Sequence, residues 1–475
     1  MFKIVFLPLK VGTKEFRPFK RKSSLTIIVY PRPMVTVPYS ELQLRSRNRA
    51  LGDLGQFLVI SIFIAVVIFA SGAGVGILFP ELFASTDQLA AESPLARYVW
   101  YPVYLLVLLL SLPKLMEIVR LATFSPILIL CVLFCGLSMF WSIDPPTTLR
   151  RSIALLLTSY IGLTLAAWFS WGRLVQIIAI AFLFIGLITI ALVVMDPGRA
   201  IMQEVNAGAW RGPFAEKNQL GGMMTKGLIA AICAFALRPK RGWLYLPIAL
   251  LCFGLVIAST SKTALLISML CIGTYIFLKL YRTNPVTRIP LIFTLVMSIG
   301  FLSVALAMFP EVMFGIIGKD PSLTGRTDIW ALLSEAIQQK FWLGYGYGIF
   351  WDDPLGPSYI VRQVLEWGVP TAHNGWIEIW LSAGIGIVIL FALQILLTLG
   401  FAVYNIRCGG RETYWVVLML LSYIGFSMSE SAILQQNSLS WILFVATCAK
   451  LFTLQHDFRP LRDENKFESN QSFRS

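Results

Sequence analysis

The sequence predicts an all-α polytopic membrane protein of about 12 transmembrane helices. Three observations carry that prediction. The 475 residues are 57% hydrophobic and 13% charged, with a mean hydropathy of +0.74, well below the roughly 25% charge of a soluble domain. Apolar runs of about 20 residues, enough to cross roughly 30 Å of hydrocarbon, recur along most of the chain. The polar segments between them alternate between basic and acidic.

Residues 1–55 come first. Eleven Lys and Arg lie between Lys3 and Arg49. The apolar stretch Ile4–Leu9 is too short for a signal sequence and is followed by basic residues. This segment reads as a basic cytoplasmic tail, disordered and held at the membrane surface. Apolar runs follow at roughly 57–79, 98–113, 123–142, 152–170, 174–195, 219–237, 243–258, 263–281, 289–309, 376–404, 413–429 and 438–454. They form one transmembrane domain over 56–455, and residues 456–475 form a second cytoplasmic tail containing His456.

Loop charges supply the topology. A net charge of +14 raises nucleic acid as a partner, but the cations are scattered in short runs between apolar segments, as in cytoplasmic loops; no nucleic-acid partner is predicted. With the N-terminus inside, the inner loops hold Lys114 and Arg120, Arg173, Arg238 with Lys240 and Arg241, Lys279 with Arg282 and Arg288, and Arg407 with Arg411. The acids Glu81, Asp87, Glu92, Asp144, Asp196, Glu204, Glu311, Asp320, Asp352 and Asp353 fall in outer loops. Both termini are therefore expected in the cytoplasm. None of the seven cysteines lies in a long outer loop, so no structural disulfide is expected.

One outer loop is long, about 310–375. Within it Ile329, Leu332, Leu333, Ala336 and Ile337 recur at helical spacing, with Thr324 as N-cap and Gly344 beyond the end. A short helix on or near the membrane surface is expected there. Gly344-Tyr345-Gly346-Tyr347-Gly348 and then Phe350-Trp351-Asp352-Asp353 follow. The aromatics suit an interface or sugar stacking; paired acids suit a divalent ion or plain solvation.

The outer face also carries cations where the positive-inside rule disfavours them: Arg150 and Arg151, Arg211, Lys217 and Lys226, Lys262, and Arg326. Each alone fits a snorkelling side chain or a carboxylate partner; as a set they point to an anion, with lipid-linked phosphate or diphosphate the natural one. Arg326 falls in the first turn of the loop helix, where the dipole disfavours a cation unless an anion binds there too. Asp328, two residues on, is a poor helical partner for it. His373, in Thr371-Ala372-His373-Asn374-Gly375-Trp376, stands where the loop re-enters the membrane. It suits either a general base or a helix cap. One outer histidine excludes a multi-histidine metal site. Ser259-Thr260-Ser261-Lys262-Thr263 could hold phosphate or cap a helix. Glu430 could orient a base or a sugar hydroxyl, or pair with an arginine. No Walker loop, Ser-His-Asp order or dinucleotide fingerprint is present.

The segment Arg211-Gly212-Pro213-Phe214-Ala215-Glu216-Lys217-Asn218-Gln219-Leu220-Gly221 resembles the G-x-F-x-x-K-N-x-L-G motif of the O-antigen ligase and polymerase superfamily (Wzy_C-like). Ser259–Thr263, Thr324-Gly325-Arg326-Thr327-Asp328-Ile329-Trp330, Gly344-Tyr345-Gly346, and His373-Asn374-Gly375 with Gly384 follow in that family's order. Trp141-Ser142 and Thr148-Leu149-Arg150-Arg151 resemble it as well. The likeness covers roughly residues 120–400 and is most like the exopolysaccharide-production (ExoQ-type) polymerase branch. It implies a GT-C-like membrane glycosyltransferase acting on undecaprenyl-diphosphate-linked oligosaccharide at the periplasmic face of the bacterial inner membrane, without cofactor or metal. Membrane lipids, a flippase and chain-length regulators are its implied partners. His373 would activate the acceptor hydroxyl and Arg326 would bind the donor diphosphate, with Arg211, Lys262, Lys217 and Arg151 assisting. Tyr345, Tyr347, Trp351 and Glu430 would contact glycan. Lys262 stands where the family has arginine, keeping the charge and losing the bidentate fork. Polymerase and ligase readings differ only in the acceptor. A secondary transporter is the alternative of another class, although no inverted repeat with broken helices is visible.

Overall fold

A computed structural model describes residues 39–79, 94–203, 206–237, 241–283, 286, 288–293, 297, 326–352, 355–366 and 368–454, with the side chains of 39–51, 94–97, 407, 408 and 454 excepted. The chain divides into two compact units, Met1–Gly55 and Gln56–Ser475. Of the first, only backbone from Tyr39 onward is described, and it is helical. The rest of the expected N-terminal tail, the tail 456–475, Thr324, Asp353 and most of the expected span 289–309 lie outside the described residues.

The described residues contain helices and no named strand. We number them α1 (Tyr39–Ala70), α2 (Ala73–Leu78), α3 (Pro94–Ser111), α4 (Leu115–Thr123), α5 (Pro126–Leu137), α6 (Pro145–Trp168), α7 (Trp171–Met195), α8 (Pro197–Ala200), α9 (Lys217–Leu237), α10 (Leu246–Ala258), α11 (Lys262–Thr283), α12 (Arg326–Gln339), α13 (Tyr359–Leu365), α14 (Gly375–Cys408), α15 (Thr413–Ser427) and α16 (Leu439–Leu454). Among the described residues seven helical stretches are long and apolar enough to cross a membrane, and four shorter apolar helices accompany them. This is a polytopic membrane protein. The runs expected at 57–79 and 98–113 differ in detail. The first breaks at Gly72, whose φ is +90°, and the second continues through a 3-10 turn to Thr123.

Lipid-facing and buried positions separate as the bilayer requires. Leu109, Leu133, Leu187, Leu250 and Leu396 are exposed, whereas α9 is largely enclosed by α7, α10, α11 and α15. The apolar effect does little between helices in lipid, so packing and sparse polar bonds hold them. Trp441 on α16 donates its indole N–H to Ser159 Oγ on α6 at 2.8 Å, a bond worth about 0.6 kcal/mol in such a setting. Tyr423 and Phe444 stack with ring centres 4.4 Å apart. The six described cysteines are free thiols in this interior.

The two ends of the bundle are held by different contacts. At one end Lys450 donates to Ala166 O, Arg411 to Ala236 O, and Arg282 to the carbonyls of Gly409 and Gly410. These belong to the segments expected inside. At the other end meet the beginnings of α6, α9, α11, α14 and α16 with the ends of α5, α10 and α15. Trp210 N–H donates to Ala258 O at 3.1 Å and Ile143 N–H to Tyr345 O at 3.1 Å there.

The described part of the long loop, from Arg326 on, forms a cap on this second end. Ile329, Leu333 and Ala336 of α12 pack with Tyr345, Phe350, Trp351, Val361, Val369 and Ala372 in a small core of their own. The apolar stripe expected to face the membrane surface therefore faces protein. The cap docks on a break in α14, where Ala383 and Gly384 leave helical geometry and Gly384 has φ +76°. Freed backbone groups there pair with the loop: Tyr345 N–H donates to Leu381 O at 2.8 Å, Gly346 N–H to Ser382 O at 3.0 Å and Ile385 N–H to Phe341 O at 3.0 Å. A methyl at Gly384 would strike the Trp342 carbonyl, and one at Gly344 (φ +68°) would lie 2.6 Å from Leu381 O.

Gly384→Ala therefore incurs a left-handed backbone cost of about 1–2 kcal/mol and a backbone clash. Gly400→Ala, which would meet nothing within 4 Å, gains helix propensity of about 1 kcal/mol. Thermal unfolding in detergent should show the first variant several degrees less stable and the second unchanged or more stable.

Candidate functional site

Three polar side chains from three segments converge on the cap side. Arg326 opens α12, His373 immediately precedes α14, and Glu430 lies on the turn after α15. Glu430 stands between the other two. Its Oε1 is 3.7 Å from Arg326 Nη2, and its Oε2 is 4.0 Å from His373 Nδ1. All three are partly open, with side-chain exposures of 19%, 20% and 35% for Arg326, His373 and Glu430. Ion pairs this long and this open contribute on the order of 0–1 kcal/mol, too little to lock the arrangement. Among the described residues the carboxylate that stands against Arg326 is that of Glu430 rather than Asp328.

His373 adopts φ +47°, a left-handed conformation that costs a non-glycine residue on the order of 1–3 kcal/mol and persists only when its surroundings hold it. Its neighbours do so. Asn374 caps α14, its Oδ1 accepting from Trp376 N–H at 2.9 Å and Ile377 N–H at 3.3 Å. His373 N–H donates to Thr371 Oγ1 at 3.3 Å. Trp330 on α12 donates its indole N–H to Ala372 O at 2.9 Å, tying the helix of Arg326 to the histidine loop.

Glu378, in the first turn of α14, organises the rest. Its carboxylate accepts from Ala372 N–H at 2.9 Å, Trp351 Nε1–H at 2.9 Å and Ser431 Oγ–H at 3.2 Å. Ala372 precedes His373 and Ser431 follows Glu430, so one carboxylate spaces both halves of the proposed pair. Sequence reasoning missed it. The signal was present: Glu378 is the one charged residue in the apolar run 376–404, and an intramembrane acid is a functional flag.

Two further charges act on Glu430. Lys226 is buried in α9, donates to Gly222 O at 3.1 Å, and lies 5.0 Å from the centre of the Phe426 ring. It is within electrostatic range of Glu430. Phe426 O in turn accepts from Ser429 N–H and Glu430 N–H at 3.0 and 2.8 Å. Glu216 also feels the site. Surrounding protein, and next the charge of Glu430, raise its carboxyl above the ordinary range, while His373 and Arg326 pull it down.

The other expected residues sit elsewhere. Arg151 pairs with Asp352 at 2.7 Å and donates to Gly348 O, bracing the glycine-rich loop. Arg211 donates to Arg199 O at 2.7 Å and Ala215 O at 3.4 Å. Lys217 reaches Asn206 Oδ1 at 2.7 Å and Thr260 Oγ1 at 3.5 Å, within electrostatic range of exposed Lys262. Ser261 Oγ–H donates to Asn218 Oδ1 at 2.9 Å, so the serine-rich turn and the Lys-Asn motif form one unit. Tyr345 and Tyr347 are buried, their hydroxyls donated to Ala336 O and Leu434 O at 2.9 and 2.5 Å. Trp351 is buried with its N–H on Glu378. Tyr345 and Trp351 build the core of the cap, Tyr347 packs into the core of the bundle, and all three face protein rather than an open surface. Among the described residues no three His, Cys, Asp or Glu side chains converge as a metal site.

A base, a carboxylate and a guanidinium on one face of a membrane bundle form the kit of a group-transfer site that handles an anionic leaving group. Residues 247–392 of the chain match the O-antigen ligase family (Wzy_C). The match encloses Lys262, Arg326 and His373 and stops short of Glu430. The chain is also 28% identical, over 279 residues, to the exopolysaccharide production protein ExoQ of Rhizobium meliloti (strain 1021). That similarity covers 54% of this chain and 61% of the relative's length.

Replacing Glu378 by methionine leaves three donors without their acceptor, at about 1–3 kcal/mol for each buried one. Hydrogen exchange should quicken roughly tenfold or more at Ala372 and also rise across 429–433, with the helices of the bundle unaffected. Unchanged exchange at Ala372 would contradict the role given to Glu378.

Proposed function

We propose that this protein polymerises undecaprenyl-diphosphate-linked oligosaccharide repeat units into exopolysaccharide at the periplasmic face of the bacterial inner membrane. The observation that carries the proposal is the convergence of Arg326, Glu430 and His373 from three distant segments. The family match around two of them and the similarity to a protein of exopolysaccharide production support it. The concentration of basic loops at the opposite end supports placing that end in the cytoplasm and the site in the periplasm.

The reaction is an inverting displacement at the anomeric carbon. The acceptor hydroxyl oxygen attacks as its proton passes to His373 Nε2. The bond from the anomeric carbon to the phosphate oxygen breaks, and the diphosphate leaves with the electron pair. Negative charge grows on the leaving oxygens, so a guanidinium already in place at Arg326 favours the transition state over the bound donor. Lys217 and Lys262, at the starts of α9 and α11, extend the positive surface available to the donor. Arg151 and Arg211 support the loops that carry these groups.

A cell in which the gene is deleted and replaced by the His373→Ala form should accumulate single lipid-linked repeat units. A ligase acting on lipid A core or protein would instead leave finished polymer on its carrier lipid. In membranes supplied with lipid-linked repeat units, His373→Ala should slow turnover about 10²–10⁴-fold. Arg326→Ala should slow it about 10²–10³-fold. Full-length polymer made by the His373→Ala protein would refute the assignment of the base.

A further inference from the structure

We infer that Glu430 couples the two halves of the site: a diphosphate binding at Arg326 hands the Glu430 carboxylate over to His373 and thereby activates the imidazole. The inference rests on the transfer reading above. In the structure the carboxylate is divided, with one oxygen 3.7 Å from Arg326 and the other 4.0 Å from His373 Nδ1. Both separations exceed a hydrogen bond. His373 Nδ1 is buried and has no hydrogen-bond partner among the described residues, a state proteins seldom leave unresolved. The group placed to resolve it is Glu430.

The geometry allows the transfer without moving the fold. The backbone of the Glu430 turn is fixed by two N–H bonds to Phe426 O and by Ser431 on Glu378. His373 is fixed by the same Glu378 through Ala372. Closing the gap then takes about 1 Å of side-chain motion, from 4.0 Å to a hydrogen-bonded separation near 2.9 Å.

A diphosphate supplies the push. It offers Arg326 a bidentate, charge-assisted pairing that an open carboxylate at 3.7 Å does not. Its own negative charge repels Glu430 from the guanidinium. Lys226, beneath the turn, remains to stabilise the displaced carboxylate, while Glu216 adds repulsion from beside it. Once Glu430 accepts Nδ1–H, the proton is fixed on that nitrogen and the lone pair of Nε2 is free for the acceptor hydroxyl. The base is thus competent only when a donor is loaded.

The test uses the full chain in lipid nanodiscs, carrying His456→Gln so that His373 gives the single histidine signal. Its ring nitrogens are followed by ¹⁵N NMR at about pH 8, above ordinary histidine titration, with inorganic pyrophosphate as the probe. Pyrophosphate should move Nδ1 toward its protonated position and Nε2 toward its bare position. In Glu430→Gln the probe should bind at least as tightly, since the competitor is gone, and the ring signals should stay put. Glu430→Asp, with the charge kept on a shorter arm, should give a partial shift, which separates loss of coupling from loss of folding. Binding without any ring shift in the otherwise native protein, or the same shift in Glu430→Gln, would overturn the coupling and leave the transfer reading standing. Absence of Arg326-dependent pyrophosphate binding would overturn the transfer reading and the coupling with it.

Discussion

The break in α14 at Ala383 and Gly384 is the constraint on which the site end depends. A helix of this length would ordinarily satisfy its own backbone and offer nothing to a loop. Here the carbonyls of Leu381 and Ser382 and the N–H of Ile385 are released and taken up by residues 341–346. The exchange leaves these groups paired, and it fixes the cap on the bundle by backbone bonds. From that anchor the small core of the cap orients α12 and with it Arg326. The same α14 begins eight residues before Ala383, at Gly375, and is capped by Asn374, so the element that receives the cap also carries the histidine loop and Glu378 at its start. The guanidinium and the imidazole are thereby referred to one rigid helix.

The charges of the site follow a consistent logic. Glu430 has cations on two sides, Arg326 and Lys226, and an imidazole on a third. No single partner holds it closely. Glu378 is the opposite case: three donors at 2.9–3.2 Å occupy it, so it is a fixed post rather than a mobile group. The distinction between a saturated and an unsaturated carboxylate, separated by a single serine hydroxyl, assigns positioning to the first and response to the second. Arg151 and Arg326 form a parallel contrast, since Arg151 is buried against Asp352 at 2.7 Å whereas Arg326 stands 3.7 Å from Glu430.

Much of this was legible in the residues, for identifiable reasons. Hydrocarbon thickness makes spans readable from length. The period of Ile329, Leu333 and Ala336 located α12. Arg326 and His373 stood out because a cation at a helix start and a lone histidine at a membrane boundary both need a reason. The partners were not legible. Nothing in composition says that Arg151 meets Asp352 across 201 residues, or that Glu430 lies between Arg326 and His373. Gly384 stood out as a motif position, but nothing in the residues around it showed that the helix breaks there. Tyr345, Tyr347 and Trp351 suggested sugar platforms because amphipathic rings in a loop suit both exposure and a buried polar bond. The structure takes the second option, with Ala336 O, Leu434 O and Glu378 as acceptors.

The position of Glu430 relative to the family match sharpens the functional argument. The matched segment 247–392 holds Arg326 and His373, and these alone would make a clamp and a base with nothing to relate them. The acid that relates them comes from the turn after α15, held against α9 by the Lys226–Phe426 contact. Helix α9 begins at Lys217, in the unit that also contains Asn218 and the serine turn before α11. A donor lying across Lys217, Lys262 and Arg326 would therefore bear on the helices that support Glu430 as well as on the arginine it pairs with. Leaving-group recognition and base activation would then be two readouts of one packing arrangement.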